Sequence, residues 1–181
     1  MKTPVCPPSS LDCRIAGSRD RLYRVALAWC GDAMLADDLV QETLSAGIAK
    51  QSQLKDEKRL FAWLYSILNN QWNSYLRKKK THNVLDEQLP SHESGPVENA
   101  EQADIINQVR RVVATLPVVE RQVLSLVDLD ELPYCDVAEV LEIPIGTVMS
   151  RLHRARKHLL EKMERATTTV PVRKGNIYLV E

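Results

Sequence analysis

The chain has 181 residues, enough for one domain or two small ones, and its 44% hydrophobic content is ordinary for a globular protein. Its single Phe and five Tyr argue against a large aromatic β-sandwich core. Lys plus Arg and Asp plus Glu both number 24, so no uniform field of one sign points to a polyanionic or polycationic partner. The charge is unevenly placed, however. From His82 to Asp104 the acids are Asp86, Glu87, Glu93, Glu98, Glu101 and Asp104, with no Lys or Arg. From Ile145 to Arg165 the bases Arg151, Arg154, Arg156, Lys157, Lys162 and Arg165 face only Glu161 and Glu164.

Residues 1–18 are rich in Pro, Ser and Gly and read as a disordered N-terminus. Met1 to Ser10 contains no signal-type apolar run, and nowhere is an apolar stretch long enough to span a bilayer. Residues 19–81 read as a first helical domain. Leu22, Val25, Ala26 and Trp29 recur at helical spacing, and Gly31-Asp32 breaks that helix. Ala36, Leu39, Val40, Thr43, Leu44 and Ile48 mark a second helix, whose polar face carries Asp37, Asp38, Gln41, Glu42 and Ser45. A polar connection follows. Phe61, Leu64, Tyr65, Leu68, Trp72, Tyr75 and Leu76 then stripe a third helix that runs into Arg77-Lys78-Lys79-Lys80. Such an aromatic stripe is more often core than a stacking platform.

Residues 82–100 hold Pro90, Gly95, Pro96, Ser and acids, the composition of a solvated linker. A second helical domain is expected over 101–165, with a tail at 166–181. Ile105, Val109, Val112, Val113 and Leu116 mark its first helix; Pro117 ends or restarts it, and Val118 to Val127 forms another. Leu132 to Leu159 reads as a helix-turn-helix. Val137, Ala138, Val140 and Leu141 belong to its first helix, and Pro144 stops that helix from continuing. On the second helix Val148, Leu152, Ala155 and Leu159 face inward, while Thr147, Ser150, Arg151, Arg154 and Lys157 face outward. An α-helix fits the major groove of B-DNA, and arginines there can pair with guanine edges or phosphates. Thr147, near the helix start, can meet a phosphate together with free backbone N–H groups.

Enzyme chemistry finds no support. Asp37 and Asp38 are adjacent on a helix and splay apart, no Gly-rich phosphate loop is present, and no Cys pair has metal spacing. Neither a catalytic residue, a metal nor a cofactor is expected. Cys30 and Cys135 fall in apolar-periodic segments and read as small buried residues, whereas Cys6 and Cys13 lie in the N-terminal stretch.

Three strings carry a resemblance. Leu116-Pro117-Val118-Val119-Glu120-Arg121-Gln122-Val123-Leu124, with Leu132-Pro133-Tyr134 and Ile143-Pro144-Ile145-Gly146-Thr147-Val148-Met149-Ser150-Arg151-Leu152-His153-Arg154-Ala155-Arg156, resembles region 4 of extracytoplasmic-function (ECF) sigma factors. Ala36-Asp37-Asp38-Leu39-Val40-Gln41-Glu42-Thr43 resembles region 2.2, and Phe61-Ala62-Trp63-Leu64-Tyr65-Ser66-Ile67 with Asn70 resembles regions 2.3 and 2.4. The resemblance spans roughly residues 20–163. It implies an all-α fold of two small helical domains, a three- or four-helix region 2 bundle and a region 4 helix-turn-helix, joined by a flexible acidic linker.

The implied function is transcription initiation without catalysis. Asp37, Asp38, Gln41 and Glu42 would dock on the β′ clamp helices of core RNA polymerase, with the β flap as a further contact. Lys55, Arg59, Asn69, Asn70, Asn73, Arg77 and Lys78 would bind and help open the −10 element, and the loop from Leu54 to Arg59 would capture a flipped base. Thr147, Ser150, Arg151 and Arg154 would read the −35 element, with Arg156 and Lys157 on phosphates. The implied partners are core RNA polymerase, promoter DNA and an anti-sigma factor, with no membrane insertion. The implied location is the cytoplasm, and the nucleoid when in holoenzyme. An autonomous helix-turn-helix regulator is the competing reading.

Four departures from the family pattern carry expectations. Met149 replaces a common Lys or Arg. Pro133 removes a side-chain cap. Glu142 stands where Gly is common, which predicts an altered turn, since Glu is strained at positive φ. Little chain precedes Leu22, which predicts a truncated first helix.

Overall fold

A computed structural model describes residues 10–82 and 108–168. The described residues are helical throughout, with turns between. The order is α1 (Leu11–Gly17), α2 (Arg19–Cys30), α3 (Ala33–Ala49), α4 (Leu60–His82), α5 (108–114), α6 (Val118–Leu124), α7 (Tyr134–Leu141) and α8 (Ile145–Thr168). Most of the expected linker and tail lies outside the described residues; His82 still belongs to α4, and residues 166–168, expected to begin the tail, are the last turn of α8.

The N-terminal expectation needs correcting. Residues 11–17 form a helix, capped by the Ser10 hydroxyl, which accepts from Cys13 N–H. Periodicity is hard to read over two turns, so this helix was hidden behind the prolines upstream. Its anchor is Ile15, fully buried between α3 and α4. Burial of one Ile side chain is worth about 1.5–3 kcal/mol. Gly47 makes the approach possible. A Cβ there would stand 3.0 Å from Leu64 Cδ2 and 3.4 Å from Ile15 Cγ2. The chain ahead of Leu22 thus carries a short separate helix before α2.

Helices α2, α3 and α4 form the rest of the first bundle. Gly31 ends α2 with φ 72°, and Asp32 caps α3 by accepting from Leu35 N–H at 2.9 Å. Leu22, Val25, Ala26, Trp29, Ala36, Leu39, Val40, Leu64, Tyr65, Leu68 and Trp72 fill the core, largely as periodicity predicts. Ile48 is the exception on α3: it is exposed, and Gly47 takes the inward position.

In the second bundle Pro117 restarts the chain as α6. The run expected to be one helix to Val127 changes pitch: Ser125–Leu129 is a π-helical turn, which commonly marks a functional position. Helix α8 has 24 residues and runs past Leu159, where the helix-turn-helix was expected to end. Val148, Leu152 and Ala155 are buried and Leu159 is half-buried, as the i, i+4, i+7, i+11 spacing predicts.

The two bundles are not separate bodies. Helices α2 and α4 pack against α6, the π-turn and α7, and one hydrophobic cluster runs through both. Polar contacts lock the seam. Trp29 Nε1 donates to Ser125 Oγ at 2.7 Å. Arg21 Nε donates to Asp130 Oδ1 at 2.5 Å, a second Arg21 nitrogen donates to the Asp130 carbonyl at 3.0 Å, and the guanidinium lies 3.8 Å from the Phe61 ring centroid. Gln122 Nε2 donates to Asn69 Oδ1, and Asn69 Nδ2 donates to the Val140 carbonyl, both at 3.1 Å. The π-turn brings Ser125 into the seam and sets Asp130, just beyond it, against α2.

Candidate nucleic-acid and polymerase interfaces

The helix-turn-helix is formed by α7 and α8. Pro133 begins α7 with no side-chain cap, as expected. The turn is not altered by Glu142. That residue adopts φ 54° and ψ 45°, and the N–H of Ile143 still reaches the Ala138 carbonyl at 3.0 Å. The packing of α7 on α8 outweighs the roughly 1 kcal/mol that a left-handed non-Gly residue costs. Pro144 accepts from Thr147 N–H at 2.8 Å and from Val148 N–H at 3.1 Å, setting the first turn of α8. The Thr147 amide is thus already used, and its hydroxyl is what remains for a phosphate.

The outer face of α8 presents Ser150, Arg154 and Lys157 exposed, with Thr147 and Arg151 half-buried beside them. Met149 is also exposed, at 55%. Arg156 points around the helix to Asp128, which accepts two bonds at 2.6 and 3.0 Å. The hydrogen bonds it donates to Asp128 push the Arg156 pKa up from its ordinary value. Arg156 is therefore tied to its own domain, unlike Arg154. Lys157 lies 3.9 Å from Glu161, one turn on.

In the first bundle the polar connection is two short 3-10 turns, Gln51–Gln53 and Glu57–Arg59, the second capped by Asp56. A cavity of about 270 Å³ opens beside it, lined by Gln53, Leu54, Lys55, Asp56, Arg59 and Trp63, among others. Lys55 and Arg59 are exposed at its edge. Asn70 is exposed on α4, Asn73 is half-buried, and Arg77 and Lys78 are exposed further along. Asn69 does not join them: it is 4% exposed and spends both ends of its amide in the interdomain seam. Tyr65 and Trp72 are buried, so the reading of the aromatic stripe as core holds for them. Burial is the main cause that raises the Tyr65 pKa.

On α3 Asp38, Gln41 and Glu42 are exposed along one face. Asp37 is half-buried and accepts from Arg19 at 2.5 Å. The cysteines differ from expectation: Cys135 is exposed, Cys30 is half-buried, and Cys13 sits in α1. Tyr134, Cys135 and Asp136 lie on the outer side of a helix only eight residues long, which is why apolar periodicity misplaced Cys135.

Sequence reasoning missed Arg21, Gln122, Ser125, Asp130, Asp136 and Glu139 as seam residues. Their partners lie 53 to 109 residues away. No local motif encodes such pairings; the π-turn leaves no distinct sequence pattern either.

This arrangement defines a class: a helical protein that couples a helix-turn-helix to a second bundle bearing an amide- and base-lined cavity. Residues 15–82 match the family Sigma-70 region 2, and residues 106–159 match Sigma-70, region 4. The chain is 32% identical over 140 residues to the ECF RNA polymerase sigma factor EcfG of Rhodopseudomonas palustris, covering 76% of each. It is 26% identical over 157 residues to the ECF RNA polymerase sigma factor SigW of Bacillus subtilis, covering 80% of this chain and 84% of that one. Among solved structures, the sigma factor RpoE of Bartonella quintana, in complex with the anti-sigma factor NepR, superposes with a TM-score of 0.67. Its identity is 27%, covering 83% of this chain and 94% of that one.

The chain belongs to the ECF RNA polymerase sigma factors. It is a transcription initiation factor, and an autonomous regulator is not favoured. Among the described residues no helix is long and apolar enough to cross a membrane.

Proposed function

We propose that this chain divides promoter reading between its bundles while docked on core RNA polymerase. The observation that carries this reading is the outer face of α8, where exposed Ser150, Arg154 and Lys157 back onto buried Val148, Leu152 and Ala155. In a major groove Arg151 and Arg154 reach base edges, a contact worth about 1–3 kcal/mol of discrimination when bidentate. Thr147 and Lys157 hold phosphates, and Arg156 joins them only by exchanging Asp128 for phosphate. The cavity beside Lys55 and Arg59 takes a base flipped from the −10 element, and Asn70, Asn73, Arg77 and Lys78 follow the opened strand. Asn69 supports the cavity from behind.

The exposed acids of α3, with Gln41 between them, meet basic residues of the β′ clamp helices, an arrangement that steers and sets register. Region 4 contacts the β flap. The protein works in the cytoplasm, on the nucleoid when in holoenzyme, and without chemistry of its own. Its likeness to a sigma factor solved with its anti-sigma factor supports a similar inhibitor here.

Reconstitution with core polymerase and a promoter library, with start sites mapped, tests the reading. Arg154→Ala and Arg151→Ala should weaken use of the −35 element, and Asn70→Ala should change −10 preference. Folded protein that initiates at no promoter overturns it.

A further inference from the structure

Helix α8 has two unlike flanks beside its outer face. On one, Thr147 and Arg151 offer a hydroxyl and a guanidinium. On the other, Ile145 and Met149 stand one turn apart, at i and i+4, so they share a side of the helix. Both are exposed, at 50% and 55%, and both lie outside the hydrophobic cluster that runs through the bundles. Arg156 lies on the same flank, two turns beyond Met149, and is engaged by Asp128. Gly146 puts no side chain between this flank and Ser150, and open space surrounds the place its Cβ would take.

Single exposed apolar side chains are ordinary on a protein surface. This pair, however, sits in the opening turns of α8, the part of such a helix that meets base edges. A phosphate offers an apolar side chain nothing. In the major groove the apolar group on a base edge is the C5-methyl of thymine, and the rest of the edge is donors and acceptors.

We propose that Met149, with Ile145 beside it, is a specificity-determining contact that reads a thymine methyl in the −35 element. Arg151 and Arg154 then read hydrogen-bonding edges, and the Ile145–Met149 flank reads the methyl, so α8 selects its site by two kinds of contact. A thioether suits the task, because an unbranched, flexible chain can follow the groove until its end meets the methyl. Being uncharged, Met149 adds discrimination without adding to the salt-dependent attraction of the phosphates. This deepens the function proposed above and rests on α8 entering the major groove.

Deoxyuridine in place of thymidine removes that methyl and nothing else. The probes are duplexes carrying a promoter at which the reconstituted holoenzyme initiates, each with one −35 thymine, on either strand, replaced by deoxyuridine. Affinity is read by competition at fixed salt. At the contacted thymine the replacement should weaken binding by wild-type holoenzyme about three- to fivefold, the effect expected of one buried methyl group. Met149→Ala should bind the unmodified duplex more weakly by a similar factor and be indifferent to the same replacement. If no thymine matters, or if Met149→Ala responds to the replacement as strongly as the wild type, the contact does not exist. A loss in Met149→Ala that is equal on every −35 sequence sets the flank against the polymerase instead, and also overturns the proposal.

Met149→Arg is a second variant at the same exposed position. It should no longer distinguish thymine from deoxyuridine there, and it should steepen the dependence of log K on log salt by about one. An unchanged salt slope means that Met149 does not face DNA, which refutes the assignment. Both variants should keep the wild-type thermal midpoint, since the side chain lies outside the core, so that lost binding is not lost fold. The two proposals fail differently. If Arg154→Ala weakens −35 use while thymine and deoxyuridine duplexes bind alike, the methyl contact is lost and the promoter reading stands. Folded protein that initiates at no promoter overturns both.

Discussion

Arg21 and Asp130 form the most enclosed ion pair between the bundles, which makes it a measurable test of how the seam is held. Arg21→Met keeps most of the side chain's reach over the Phe61 ring but removes the donors to Asp130 Oδ1 and to its carbonyl. Asp130 Oδ2 has no hydrogen bond of good geometry among the described residues, so the carboxylate would be left buried without a cation, with only the neighbouring Tyr65 hydroxyl to turn to. Breaking one half of a fully buried pair costs about 3–5 kcal/mol. Arg21 is 36% exposed, so water screens the pair, and the cost is discounted to about 2 kcal/mol. The seam can also open and let Asp130 hydrate, which caps the loss. Urea unfolding at 25 °C and fixed ionic strength reads it, and the thermal midpoint should fall by about 4–8 °C. Asp130→Asn in the Arg21→Met background should restore much of the loss, because the buried charge is then gone. A double-mutant cycle gives the coupling. If the two substitutions are additive to within about 0.5 kcal/mol, the pair does not hold the seam and the reasoning fails.

Three further outcomes follow from local geometry. Glu142→Gly should stabilise the protein by about 0.5–1 kcal/mol, since φ 54° suits glycine, and a thermal midpoint that falls would contradict this. Gly47→Val should cost at least about 1–3 kcal/mol in chemical denaturation, because even its Cβ meets Leu64 at 3.0 Å. Maleimide labelling at pH 8 followed by mass spectrometry should modify exposed Cys135 well before Cys30, whose pKa burial pushes up, leaving less thiolate at that pH; equal rates would refute it.

The local features of the fold were legible because each rests on a few neighbouring residues. Gly31-Asp32 ends one helix and caps the next, the stripe from Phe61 to Leu76 sets the buried face of α4, and the spacing of Val148, Leu152 and Ala155 sets that of α8. The outward face of α8 follows from the same spacing, so the DNA-reading residues could be nominated from the sequence. Other residues behaved differently. Cys135 and Ile48 obeyed apolar periodicity and still came out exposed, because short helices and an inward glycine shifted the buried face.

Asn69 and Asn70 show most directly where sequence stops. They are adjacent amides on one helix, indistinguishable by type or local pattern, yet one is buried in the seam and the other faces solvent. The sequence by itself determined the main helices of both bundles and most of their apolar faces, since those depend on contacts within one or two turns. Only the tertiary structure decided that the two bundles meet. The seam is made of pairs up to 109 residues apart, each member an ordinary surface residue until the other arrives, and it is that meeting which places Asp136 and Glu139 on Arg59.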